Sequence, residues 1–279
     1  MKKTTRILGV IILLFLGLRY LTPYGYLFKG IRGSYLTGHT SAHIYDRNIF
    51  DQREMPALQP QELTTSSASV ELDEQGRRAL EERESTGLVV LKGGDIILEE
   101  YWDEHTATTL SNSFSTAKTV ITLLTQIAVQ DGYIDSWDDP ITKYIPEYEI
   151  PEGVAEPTLR HFSTMTAGMQ IKENYKDPFN KTAALYYSDD VMSTALSIPV
   201  GKFEAGTQWE YQSSCTQILT IALSKAIGES ISSFANRELF NKVGFETAST
   251  WHLDREGGLE LGYCCLNAAT RDFAKLGQL

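Results

Sequence analysis

The stretch Ser115-Thr-Ala-Lys-Thr-Val-Ile-Thr-Leu-Leu-Thr-Gln-Ile-Ala-Val-Gln-Asp-Gly132 decides how this chain is read. Apolar residues recur at steps of three and four, at Ala117, Val120, Ile121, Leu124, Ile127 and Ala128, which predicts a helix with a buried face. Gly132 predicts its end, because glycine adopts the left-handed cap at little cost. Upstream, residues 88–91 and 96–101 are β-rich runs around Lys92-Gly-Gly-Asp95, whose glycines supply the positive φ angles of a tight hairpin. Residues 71–84 are charged with sparse apolar positions and predict an exposed helix. Further helices are predicted over 158–166, 188–197, 213–227, 230–243 and 268–276, stopped by Gly168, Pro199, Gly228, Gly244 and Gly277. A hairpin followed by a helix-rich region indicates α+β rather than alternating βαβ.

Within 279 residues, 42% hydrophobic and 22% charged is ordinary globular composition, which excludes a disordered, collagen-like or multi-span membrane chain. A net charge of −11, with no run of Lys and Arg interleaved with aromatics, argues against nucleic acid as a partner. Three cysteines cannot make a disulfide framework. Cys264 and Cys265 are not expected to bridge each other, since that ring is small and strained; a bridge from Cys215 to either stays open. Only His39 and His43 fall at i, i+4, in a segment that does not read as a helix, so no metal or cofactor is expected.

The amino terminus opens with Lys2, Lys3 and Arg6, followed by an apolar run over residues 7–18. Tyr20, Leu21, Tyr24, Tyr26, Leu27 and Phe28 extend the greasy stretch, and the tyrosines suit an interfacial belt. Residues 1–28 therefore read as an uncleaved signal-anchor or a signal peptide that sends the remainder across a membrane. Residues 29–69 read as a linker or irregular arm on the domain surface, with 64–69 its most flexible piece.

On a helix, i and i+3 share a face, so Lys118 can reach back to the hydroxyl of Ser115. Burial against the apolar face disfavours the ammonium form, which would make the amine a base for that nucleophile. Free N–H groups at the helix start can stabilise a developing oxyanion. A second feature is Trp209-Glu-Tyr-Gln-Ser213, where a Pro- and Gly-rich approach delivers Tyr211 and Ser213 to the head of the next helix. A phenol near a lysine can exchange protons during acyl transfer.

These elements, in this order, resemble the serine β-lactamase and penicillin-recognising superfamily, in its class C β-lactamase-like branch of esterases, D-Ala-D-Ala carboxypeptidases and 6-aminohexanoate-dimer hydrolases. Pro157-Thr-Leu-Arg-His-Phe-Ser-Thr-Met-Thr-Ala-Gly-Met169, Asp139-Pro-Ile-Thr-Lys-Tyr-Ile-Pro146 and Asn267-Ala-Ala-Thr-Arg-Asp-Phe-Ala-Lys-Leu-Gly277 are similar to further family segments. Met165, where relatives carry a histidine, leans towards the dimer-hydrolase side. The resemblance implies a β-lactamase/transpeptidase-like α+β domain over 70–279. It implies Ser115 as acylated nucleophile, with its N–H as half of the oxyanion hole, Lys118 as general base and Tyr211 as proton shuttle. Ser213 stands where many relatives have Asn and would hold the substrate amide. The loop over 170–187 would overhang the cleft, with Tyr175, Tyr186, Tyr187 and then Asp189 as substrate contacts.

The family's third motif, Lys-Thr-Gly or His-x-Gly on an edge strand, does not occur in its place. The expectation is thus a carboxy-terminally truncated domain with an incomplete sheet and an exposed hairpin edge. Two readings follow: a serine hydrolase of the bacterial envelope acting on a small amide, ester or peptide, tethered to the inner membrane, or an inactive homologue that binds peptides or peptidoglycan.

Overall fold

The computed structural model describes residues 2–39 and 41–279, so Met1, where the expected leader begins, lies outside it. Helix α1 (Lys2–Leu21) carries the basic start and the apolar run, and Pro23 follows its end. Helix α2 (Tyr26–Gly33) then turns away, at 107° for the pair Ile7–Leu21 and Tyr26–Thr37. Among the described residues, no single helix is long and apolar enough to cross a membrane. The expected aromatic belt is divided by this turn. Tyr20 and Tyr24 are exposed, whereas Tyr26 is buried and its hydroxyl donates to the Pro178 carbonyl at 2.8 Å.

The segment expected as a linker or surface arm is woven into the fold. Strand β1 (Gln52–Met55) lies antiparallel to a strand nearly two hundred residues on, in the register Gln52↔His252 and Met55↔Ser249. Phe50 and Met55 join the core, because an apolar face on a strand edge is stable only when covered. Helix α3 (Glu74–Glu81), shorter than predicted, is capped by Asp73, which accepts the Gly76 N–H at 2.7 Å.

Strands β2 (Gly87–Lys92) and β3 (Asp95–Tyr101) form the predicted hairpin, turning through Gly93 at φ 63° and Gly94 at φ 96°. Its edge is partly covered rather than bare. Residues 64–69, expected to be the most flexible, and Val70 after them bond along β3 through Ile96 N–H to Thr64 O, Ser66 N–H to Ile96 O and Val70 N–H to Ile97 O, each at 2.8 Å.

Strand β4 (Leu110–Asn112) leads into α4 (Ala117–Gln130), the helix that opened the sequence reading. Then come α5 (Leu159–Ser163), α6 (Lys181–Tyr187), α7 (Val191–Leu196), α8 (Ser213–Ile227) and α9 (Ile231–Ala235), the last continued by a π-helical turn. Strands β5 (Ser249–His252) and β6 (Leu266–Ala269) and helix α10 (Thr270–Leu276) complete the described order. Part of the 170–187 loop is thus helical, with Asn180 capping α6, and the helix predicted over 268–276 starts at Thr270 because Ala268 and Ala269 pair with β4.

The strands form a four-stranded antiparallel sheet, β1-β5-β6-β4, beside the separate β2-β3 hairpin, so the sheet is not closed. The strands β4, β5 and β6 are three or four residues long, too short for a period-two pattern to show. Helix α8 runs through the core against α4, α5 and α7, and twelve of its fifteen residues are buried. Its polar Gln217 is satisfied, donating to Glu260 O at 3.1 Å and accepting from Gly262 N–H at 3.0 Å.

Candidate active site

The path from β4 to α4 sets Ser115. Ser113 N–H continues the ladder to Leu266 O at 2.8 Å, and Asn112 Oδ1 accepts the Phe114 N–H at 2.9 Å. Phe114 itself sits at φ 42°, a left-handed conformation that costs a non-glycine residue about 1–2 kcal/mol. The chain turns sharply there, and Ser115 follows in a single helical turn ahead of α4.

Lys118, one turn on, is buried, and its Nζ donates to Ser115 Oγ at 3.0 Å and to the Tyr263 carbonyl at 2.8 Å. Its Nζ also lies 5.1 Å from the Tyr211 ring centre and 5.5 Å from that of Tyr263. Burial pushes the Lys118 pKa down, while Tyr211 and Glu173 pull it partly back. The Tyr263 carbonyl is held on a turn whose Leu261 and Cys264 carbonyls accept the Trp251 indole N–H at 3.0 and 2.9 Å.

Tyr211 completes the group: its hydroxyl donates to Ser115 Oγ at 2.6 Å. It is carried into place by its neighbours. Gln212 is fully buried and donates to Met169 O and Ile171 O at 2.8 and 2.9 Å, and Glu210 pairs with Lys202 at 2.5 Å. The next residue, Ser213, starts α8, and its N–H is accepted by Glu173 Oε1 at 2.5 Å, while Glu173 Oε2 accepts the Tyr175 hydroxyl at 2.5 Å. A carboxylate at a helix start is favourable because the free N–H groups there carry partial positive charge. Glu173 and the Tyr263 carbonyl were missed in the sequence. A lone acid in a loop and a backbone oxygen leave no pattern.

Ser115 opens into a cavity of about 380 Å³ lined also by Ser213, Tyr175, Tyr186, Tyr187, Tyr263 and Cys264. Its far wall is α2 and the residues after it: Tyr26, Leu27, Gly30, Ile31, Ser34 and Tyr35. The Tyr187 ring packs so close to Gly30 that a Cβ there would lie 3.2 Å from it, and the Tyr187 hydroxyl meets Ser34 Oγ at 2.9 Å. Asp189, expected as a substrate contact, does not line the cavity. Its carboxylate is engaged by Arg19 at 2.8 Å and Lys29 at 3.5 Å, which fasten the amino-terminal helices.

Cys264 and Cys265 are bonded to each other, contrary to expectation, with Cys265 at φ 74°. The left-handed backbone of that turn brings the two side chains together, a conformation that residue types alone do not announce. Cys215 is free and buried. His39 and His43 stack at 4.1 Å, and among the described residues no group of three or more His, Cys, Asp or Glu could hold a metal ion.

A profile of the family described as Beta-lactamase matches residues 73–257, more than half of the chain. The chain belongs to the beta-lactamase family. Solved structures share the fold. One described as a 6-aminohexanoate-dimer hydrolase from Bacillus anthracis superposes with TM-score 0.73 at 18% identity, over 85% of this chain and 67% of that one. FmtA from Staphylococcus aureus gives 0.57 at 14% identity, over 79% and 69%. A penicillin binding protein from Bacillus halodurans gives 0.56 at 16%, over 72% of each. No curated protein matches in sequence. In this beta-lactamase-family fold, Ser115 comes from the turn ahead of α4, Lys118 from α4 and Tyr211 from the approach to α8, and α4 and α8 are adjacent in space.

Proposed function

We propose that the chain is a serine hydrolase that cleaves an amide or ester through an acyl-enzyme on Ser115. The observation that carries this reading is Ser115 Oγ held between the buried Lys118 amine at 3.0 Å and the Tyr211 hydroxyl at 2.6 Å, at the edge of a ligand-sized cavity. Neutral Lys118 takes the Ser115 proton as Oγ bonds to the substrate carbonyl carbon. Tyr211, in contact with the same oxygen, passes a proton to the leaving amine or alkoxide and regains one from Lys118; water then attacks the ester so formed, its C–O bond to Ser115 breaks, the acid leaves and Oγ is reprotonated. The family membership supports the reaction class. The substrate is a small molecule or peptide carrying the amide or ester, and no cofactor enters the scheme.

We further infer that α1 tethers the domain to the bacterial inner membrane, with the site on the extracytoplasmic side. Support comes from Lys2, Lys3 and Arg6 ahead of the apolar run, since basic residues favour the cytoplasmic side. The catalytic reading is tested by treating the full chain with a fluorophosphonate: Ser115 Oγ bonds to phosphorus, fluoride leaves and Lys118 takes the proton. Mass spectrometry should find the adduct on Ser115, and Ser115→Ala should abolish it. A wild-type chain that stays unlabelled while it binds peptide overturns the reading.

A further inference from the structure

Tyr24, Ile31, Tyr35, Leu36, Tyr175 and Phe179 are all exposed, with Leu36 at 77% and Tyr175 at 70%, and each lines the cavity or stands within two residues of one that does. Ile31, Tyr35 and Tyr175 also line the cavity, so this patch and the entrance to Ser115 are one surface. The patch is internally packed, with Tyr24 edge-on to Phe179 at 5.6 Å. It runs on into α1, where Leu13, Leu14 and Phe15 are exposed and Phe15 meets Phe28 of α2 edge-on at 6.0 Å. Contiguous exposed apolar surface of this kind marks an interaction site, and tyrosines suit the boundary between hydrocarbon and headgroups.

Charge selects the partner. At the rim itself Arg32 of α2 and the cavity-lining Lys176 are exposed and make no ion pair among the described residues, against Asp177 beside them, in a chain of net charge −11. Arg19 and Lys29 share Asp189, which leaves the rim cationic. A second copy would present the same cationic surface and be repelled, whereas anionic lipid headgroups are attracted to it. We propose that this rim docks on an anionic lipid bilayer, so that the cavity opens at the membrane surface. The substrate taken there is an amphiphile carrying the scissile ester or amide. That last clause rests on the serine-hydrolase reading; the docking does not.

The test places an environment-sensitive nitrobenzoxadiazole probe on the full chain at Leu36→Cys and, as a control, at Lys242→Cys, an exposed position outside the rim. Cys215 is buried and Cys264 and Cys265 are bonded, so the introduced thiol is the reactive one. With phosphatidylglycerol vesicles the chain should float, and the probe at 36 should shift to the blue while that at 242 does not. Adding Ile31→Asp and Phe179→Asp should remove the shift and leave flotation through α1. Flotation with an unshifted probe at 36, or no flotation, overturns the proposal. So does a blue shift without vesicles accompanied by a dimer in sedimentation. Fluorophosphonate labelling of Ser115 in the same samples judges the hydrolase reading separately.

Discussion

The two walls of the cavity are held in different ways. On one side, α4, the head of α8 and the turn at 261–265 are buried and cross-linked: Lys118 bonds Ser115 and Tyr263, Trp251 bonds Leu261 and Cys264, and Gln212 bonds Met169 and Ile171. On the other, α2 and its flanks rest on ion pairs to the half-exposed Asp189, the Lys29 bond to Asp254 O, hydroxyl bonds from Tyr26 to Pro178 O and between Ser34 and Tyr187, and aromatic packing around Phe50. The proposed proton exchange needs fixed distances, which the buried, bonded wall supplies. The wall at the rim is held largely by polar contacts to half-exposed groups, so it is expected to yield before the inner one.

The contrast breaks first at Lys118. Lys118→Ala should lower the rate of Ser115 labelling by about 10⁴ or more. In the native chain labelling should rise with pH and level off with a midpoint below 10.5, because the depressed Lys118 pKa frees the amine earlier. A profile that climbs past the ordinary lysine range would show that the amine is not the base. Tyr211→Phe keeps the ring over Lys118 but removes the hydroxyl, and a loss of about 10²–10³ in turnover is expected from steady-state kinetics.

The outer wall should give way to acid. His252 is fully buried and stacks on Phe50 at 4.8 Å, with neither ring nitrogen bonded to a described residue. Burial, with a smaller contribution from Lys29, pushes its pKa down from 6.5 to about 3. Between these values the unfolded chain binds a proton that the folded chain refuses, so this stability is present above pH 6.5 and is lost as pH falls towards 3. A drop of up to about 5 kcal/mol, or roughly 10–20 °C in Tm, is expected over that window and should shrink in His252→Phe. Hydrogen exchange should show α2 and β1 opening before α8. The smallest effect belongs to Asp189→Asn, at most about 1 kcal/mol in Tm scans, since its carboxylate is half-exposed. A larger loss would mean that the outer wall is as firmly held as the inner one.

Residues of the inner wall were legible because each follows from neighbours in the chain. Ser115 and Lys118 lie one helical turn apart, and Tyr211 precedes a helix announced by its own periodicity. The outer wall was not legible. The arm of residues 29–69 lacks periodicity, and only pairing with β5 makes 52–55 a strand. Asp189 looked like a ligand for substrate because its neighbours are cavity tyrosines, yet the structure gives it to Arg19 and Lys29, some 160 residues or more away.

By itself the sequence determined the α+β class, the hairpin, the buried helix behind Ser115 and which side chains were candidates for the site, all features written in spacings of a few residues. Tertiary structure alone decided the sheet order, the Cys264–Cys265 bond, the Glu173 and Tyr263 contacts and the use of the amino-terminal arm as a cavity wall. The reason is physical. Helical period and turn chemistry are local, whereas short strands, backbone acceptors and ion pairs acquire their partners only when distant segments bury one another.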